Sequence, residues 1–291
     1  QEEEEITIIP TTSTTPKNHM VTQDSIYSFS QGPKAWKKKR KWSGSWGNLI
    51  IDGNAFGNFG CGFCCMANIY STLSDYECSP VDIYSYTKET SSYMPRPGVG
   101  AIGWEAMKYT LETCGFSSTL HQKDTNYEDF QNILQNSYAT IVLICSQNDD
   151  AYWPNTPGHY VTIWRYEPES DTVFLTDPGD PDHNRSTIDL SLVYNALKTA
   201  SNYQYLTIDN YNENNNLWDL VYHGQMRTST ALQTTETPDC DHVVAPSLER
   251  LIHACGGFSE TAKIMNAQSK GKLYRPNEIL MNRMRQGFSM R

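Results

Sequence analysis

Gly60-Cys61-Gly62-Phe63-Cys64-Cys65-Met66-Ala67-Asn68-Ile69-Tyr70 is the stretch on which the reading of this chain turns. Met66, Ala67, Ile69, Tyr70 and Leu73 recur at intervals of three and four, the spacing of a helix's buried face. The pattern predicts a helix over 61–74 with Cys61 at its first position. Backbone N–H groups at a helix start lack intrahelical acceptors, and the helix dipole is positive there, so a thiol at that place is biased toward thiolate. The competing reading is a structural cysteine on a glycine-rich turn. Cys64 and Cys65 fall inside the helix, where no dipole end helps them, and read as small buried residues. Cys61-x-x-Cys64 also has the spacing of a redox pair or half a zinc site, but no second Cys-x-x-Cys or His-x-x-x-His completes the site.

A thiolate nucleophile needs a base. Gly158-His159-Tyr160-Val161-Thr162-Ile163-Trp164 puts a histidine at the mouth of an apolar, β-branched strand. Eighteen positions after His159, Leu175-Thr176-Asp177-Pro178-Gly179 ends the next strand on a carboxylate. With Glu167-Pro168-Glu169-Ser170 as the turn between them, the two strands form a hairpin that returns Asp177 to the level of His159. A carboxylate there fixes the tautomer of the ring. The bland alternatives are a core or surface histidine and an ordinary Asp-Pro-Gly turn, with Asp180 and Asp182 as nearby rivals. His19 lies in the leading segment, and His121, His183, His223, His242 and His253 lack the strand-mouth setting.

In this order, Gly-Cys-Gly-helix, Gly-His-strand and strand-Asp-Pro resemble the papain-like cysteine peptidases. More narrowly they resemble the stand-alone, secreted relatives of the peptidases that cut bacteriocin leaders after a double glycine. Gly98-Val99-Gly100-Ala101-Ile102-Gly103-Trp104 and the helix running from it to Cys114-Gly115-Phe116 resemble that family's middle region. The likeness spans roughly residues 46 to 210. It implies a peptidase or amidase working through a thioester, with Cys61 as nucleophile, His159 as base, Asp177 as orienting group and no metal or organic cofactor. It also implies a glutamine six residues before the nucleophile as an oxyanion donor. Ala55 stands there, so the nearby amide of Asn54 is the expected substitute, alongside the backbone N–H of Cys61. Phe63-Cys64-Cys65 replaces the small-residue run usual after the Cys-Gly. Cell-wall peptide cleavage or transfer on the same fold, and a non-catalytic binding module, are the alternatives.

The chain has 291 residues, 38% of them hydrophobic, with 18 tyrosines: enough for one large domain or two small ones. A net charge of −10 argues against general nucleic-acid binding, which needs clustered cations to neutralise phosphates. No segment reaches the length of a membrane span. Few lysines and arginines among many Tyr, Thr, Asn and Asp lean toward an exported or envelope-associated bacterial protein, expected as a monomer acting on peptides or proteins. Three of the eight cysteines crowd into residues 61–65, a spacing unlike a disulfide framework.

The expected fold is α+β and papain-like, with a helical first part whose nucleophile helix packs on an antiparallel sheet. Helices are expected at 61–74, 80–90, 104–114 and 127–136. Strands are expected at 139–146, 159–166, 171–176, 205–209 and 217–222. Residues 1–45 read as a leader or pro-segment, 46–225 as the catalytic domain and 226–291 as a linker and helical tail. The run Lys34-Ala35-Trp36-Lys37-Lys38-Lys39-Arg40-Lys41 is a solvated turn, a processing site that would make the chain a zymogen, or a patch for an anionic wall. The double glycine at 256–257 is a conceivable self-processing site. Tyr152-Trp153-Pro154 and Tyr160 read as a packed loop, or as the lining of an apolar subsite.

Overall fold

The computed structural model describes residues 17, 20–32, 42–45 and 49–218. The basic run, most of the 217–222 strand, the tail and the double glycine lie outside them, as do Cys240 and Cys255.

Elements follow in the order β1 (Phe29–Ser30), β2 (Gly44–Ser45), β3 (Ile50–Ile51), β4 (Asn54–Ala55), α1 (Phe56–Phe59), α2 (Cys61–Leu73), α3 (Pro80–Thr90), α4 (Trp104–Thr113) and β5 (Cys114–His121). They continue with α5 (Tyr127–Gln135), β6 (Ala139–Ile144), β7 (His159–Glu167), β8 (Thr172–Thr176), β9 (Ser186–Asp189), α6 (Leu190–Ala196) and β10 (Tyr205–Asn216). Helices and an antiparallel sheet make the class α+β. The main sheet has six strands in the order β5-β10-β6-β7-β8-β9, every neighbouring pair antiparallel.

Strand β6 shows how the sheet divides the core. Its side chains are all buried, and they alternate. Ala139, Ile141 and Leu143 join the cluster built around α2, α3 and α4, whereas Val142 and Ile144 join the one beneath α5 and α6. Period-two alternation thus feeds two apolar layers from one continuous hydrophobic run. The helices start where their chemistry dictates. Ser79 and Asp82 form a reciprocal capping box at α3, with Pro80 in the first turn.

The structure departs from the expected elements at several points. Residues 114–121 form β5, a strand not among those expected although Phe116, Ser118 and Leu120 alternate with Ser117 and Thr119 in the period of a strand. Its partner β10 runs on through the asparagines to Asn216 rather than stopping at Asp209, because pairing with β5 overrides the turn preference of Asn. Leu217 and Trp218 follow that strand, and the rest of the expected 217–222 strand lies outside the described residues. The short pair β9 and α6 has no counterpart among the expected elements.

Residues ahead of position 46 also take part in packing. Ile26, Tyr27, Phe29 and Trp42 are buried, and the first three sit in the same cluster as α2. The described part of the expected leader is therefore built into the globular unit.

Gly115 sits at φ +92° where α4 hands over to β5, and a Cβ there would come within 2.6 Å of the Asn212 carbonyl oxygen in β10. Gly115→Ala is expected to destabilise the fold by at least ~1–3 kcal/mol, the cost of a non-glycine residue held in sparsely populated backbone space. Urea denaturation reads this directly, and an unchanged midpoint would contradict it.

Candidate functional site

Helix α1 stops at Phe59 and α2 begins at Cys61, so Cys61 is the first residue of a helix 13 residues long. The flanking glycines are required by the protein's own packing. A Cβ on Gly60 would lie 2.4 Å from the Phe56 ring, and one on Gly62 would lie 2.6 Å from Ile102 Cγ2. Cys61 is half-buried, while Cys64 and Cys65 are fully buried behind it. All six cysteines among the described residues are free.

Across from α2, β7 and β8 pair with Thr162 opposite Thr176, so His159 and Asp177 emerge at the same end of the hairpin. His159 Nε2 lies 2.7 Å from Asp177 Oδ1. That leaves Nδ1 as the ring nitrogen not engaged by Asp177, and the ring is near enough to the Cys61 thiol to act on its charge.

Burial alone would raise the thiol pKa. The hydrogen bond and charge of His159, with the N–H groups of Tyr160 and Gly62, overcome it and hold the Cys61 pKa below the ordinary value. Burial likewise pushes His159 toward neutrality, but the Asp177 carboxylate and the thiolate reverse this and raise its pKa. Both shifts act in favour of a thiolate–imidazolium pair over the neutral pair. Cys64, Cys65 and Cys114 go the other way, because burial lifts their thiols well above the ordinary range.

Asp177 is fully buried, yet it is held ionised. Desolvation opposes the charge, and His159 with the surrounding donors outweighs it. Oδ1 accepts from the backbone N–H groups of Gly179 and Asp180 at 2.9 and 3.2 Å as well as facing His159. Oδ2 accepts the Trp153 indole N–H at 3.0 Å and lies 3.4 Å from His183 Nδ1. The latter contact is too long and poorly aimed for a full hydrogen bond, since His183 Nδ1 satisfies no donor–acceptor geometry. The Asp177 N–H donates to Asn184 Oδ1 at 3.2 Å.

The sequence reading misses this surround. Trp153 is buried behind the carboxylate and lines no subsite, and His183 stacks on Tyr152 with ring centroids 4.1 Å apart. Tyr160 is buried edge-on to Trp104. Of the rival carboxylates, Asp180 contributes its backbone N–H rather than its side chain, and its Oδ1 accepts the Asp182 N–H at 2.7 Å.

Asn54 is the expected residue that the structure does not bring in. Its amide donates to the carbonyls of Asp52 and Arg96 at 3.1 and 3.0 Å, and its Oδ1 accepts the Gly98 N–H at 2.8 Å. One amide hydrogen is spent on the 52–54 turn and the other on the 96–99 turn, which leaves none for an oxyanion. The Cys61 N–H is one of those a helix start leaves without an intrahelical acceptor.

Among the described residues, no group of three or more His, Cys, Asp or Glu side chains could hold a metal ion, and no helix is long and apolar enough to cross a membrane.

The sequence matches no protein-family model and no curated protein. Among solved structures, the chain is similar to the peptidase domain of Streptococcus ComA, described as a bi-functional ABC transporter involved in a quorum sensing pathway. Identity is 12%, with 54% of this chain and 92% of that domain covered, at a TM-score of 0.36. So loose a likeness carries no functional argument, and the geometry of the site itself has to bear one.

Proposed function

We propose that this chain is a papain-like cysteine peptidase that hydrolyses peptide bonds through a thioester. What supports this reading is the 2.7 Å contact of His159 Nε2 with the buried Asp177 carboxylate, beside a thiol at the start of α2 whose pKa that histidine lowers. In the first half-reaction the Cys61 thiolate attacks the scissile carbonyl carbon. The oxyanion that forms takes the Cys61 N–H, and the His159 imidazolium gives its Nδ1 proton to the departing amine. In the second half, neutral His159 draws a proton from water as the water attacks the thioester. The thiolate then leaves and the imidazolium is restored. Asp177 stays ionised throughout and keeps the ring oriented. No metal or organic cofactor is needed for these steps.

The substrate class is a peptide or protein chain. We place the activity outside the cytoplasm on composition alone, and take the acting species to be a monomer.

A peptidyl epoxide aimed at cysteine peptidases tests the assignment. One equivalent is expected to attach at Cys61, as mapped by mass spectrometry, with loss of casein or peptide hydrolysis. Full labelling with muropeptide cleavage but no casein cleavage would move the substrate to the cell wall. Absence of labelling together with absence of hydrolysis would leave a binding module.

A further inference from the structure

The segment ahead of the basic run is stitched alternately to both sides of the site. The Tyr27 N–H donates to Thr72 Oγ1 at 3.0 Å and the Phe29 N–H to Asn68 Oδ1 at 2.9 Å, both on α2. Ser28 Oγ donates to Asn184 Oδ1 at 2.6 Å, the same oxygen that accepts the Asp177 N–H. Gln31 then reaches both sides at once. Its backbone N–H donates to the carbonyl of Pro178, the residue after Asp177, at 2.9 Å. Its side-chain Nε2 donates to the Gly57 carbonyl at 3.0 Å, four residues before Cys61.

That last bond has a particular place in the helix. In a continuous helix the Gly57 carbonyl is the acceptor for the Cys61 N–H. Here the helix breaks at Gly60, and Gly57 accepts the Gln31 amide. Because Gly57 O needs a donor, the amide orientation is fixed and Gln31 Oε1 is turned inward, where it is buried without a partner. A side chain kept only to fill space would not carry that orphaned oxygen, since a methionine or leucine fills the same volume without it.

We propose that Gln31 is a positioning residue for this site. It clasps the turn that presents Cys61 to the loop that carries Asp177, and so sets the spacing of sulfur and imidazole and keeps the Cys61 N–H directed at the reacting carbonyl. The proposal rests on the peptidase reading, but its principal readout does not.

Gln31→Met keeps the side chain's length and apolar stem and removes the donor. Iodoacetamide labelling of Cys61 is followed by peptide mapping from pH 5 to 10 in both proteins. The variant's labelling rate at pH 6 is expected to fall about 10-fold, with its pH midpoint moved toward that of an ordinary thiol. On a peptide substrate, kcat should fall about 10–100-fold at constant KM, the scale of a small misplacement of reacting groups. Its melting temperature should fall by only a few degrees, because Gly57 O loses its donor while the orphaned Oε1 is removed as well. A Gln31→Met protein that labels with the parental pH profile overturns the proposal, whatever its stability. If that variant does not fold, Gln31→Ala is read by the same criterion. Failure of the peptidase reading would look different: no hydrolysis by the parent protein, with the labelling comparison still intact.

Discussion

Cys61→Ala is expected to eliminate peptide hydrolysis, with kcat down by about 10⁵–10⁶-fold, the scale seen when a covalent nucleophile is removed. The same substitution should abolish fast alkylation at pH 6. That selectivity stems from the environments of the thiols. Cys61 is half-buried, and its pKa is lowered by His159 and by two backbone N–H groups, whereas burial raises Cys64, Cys65 and Cys114. Since the thiolate is the reacting species, slightly acid pH separates one cysteine from its neighbours by both charge and access.

The expected pH dependence has a defined shape. Alkylation of the parent protein should reach a plateau once the pH passes the lowered Cys61 value. Hydrolysis should rise along the same limb and fall again as His159, raised to about 10, loses the proton that the leaving amine needs. Cys61→Ala should leave the fold intact, because the buried Asp177 keeps His159 and its other donors. Parental iodoacetamide labelling in Cys61→Ala, mapped by mass spectrometry, would transfer the nucleophile to another cysteine and end the assignment.

What can be read from the sequence is what local patterns encode. Gly60-Cys61-Gly62 ahead of an apolar period of three and four places a thiol at a helix start, and α2 begins at Cys61. A hairpin of predictable length aligns His159 with Asp177 across eighteen residues, and the observed register puts them 2.7 Å apart. The rest is hidden because it depends on distant chain. Trp153 meets Asp177 only because the loop after β6 folds under the carboxylate, and an apolar Tyr-Trp-Pro run carries no mark of an indole N–H being used that way. Asn54 attracts attention by its nearness to Cys61 in sequence. Its amide is instead captured by Arg96 and Gly98, more than forty residues on. Residues 20–32 look like a leader in composition, acidic neighbours and all. Yet the hydrogen bonds of Tyr27, Phe29 and Gln31 run to side chains and carbonyls that no local pattern predicts.

The carboxylate offers the second large test, because stability and chemistry should fail together there. Asp177→Ala leaves the indole of Trp153 and the N–H groups of Gly179 and Asp180 without their acceptor, and His159 without its counter-charge. Breaking a buried ion pair from one side costs about 3–5 kcal/mol. The pH window is set by the two shifts. Asp177 is held below its ordinary value, so its contribution is complete above ~4 and is lost as pH falls through the folded value. His159 is held above its ordinary value, so its contribution is complete below ~6.5 and is lost as pH rises toward the folded value. The stability gap between parent and Asp177→Ala should therefore be widest between pH ~4 and ~6.5 and should narrow on both sides. Asp177→Asn separates the chemistry from the packing. It keeps the shape and most of the donors satisfied, but it withdraws the charge that sustains the imidazolium. Burial then drives His159 toward neutral, and Cys61 loses its counter-ion. The alkylation limb of Asp177→Asn should move to higher pH, and kcat should fall by about 10²–10⁴-fold, as when an orienting carboxylate is replaced by its amide. Parental labelling at pH 6 in both variants would show that the thiolate is sustained without the carboxylate, and the relay from sulfur to Asp177 would not be the working unit of this protein.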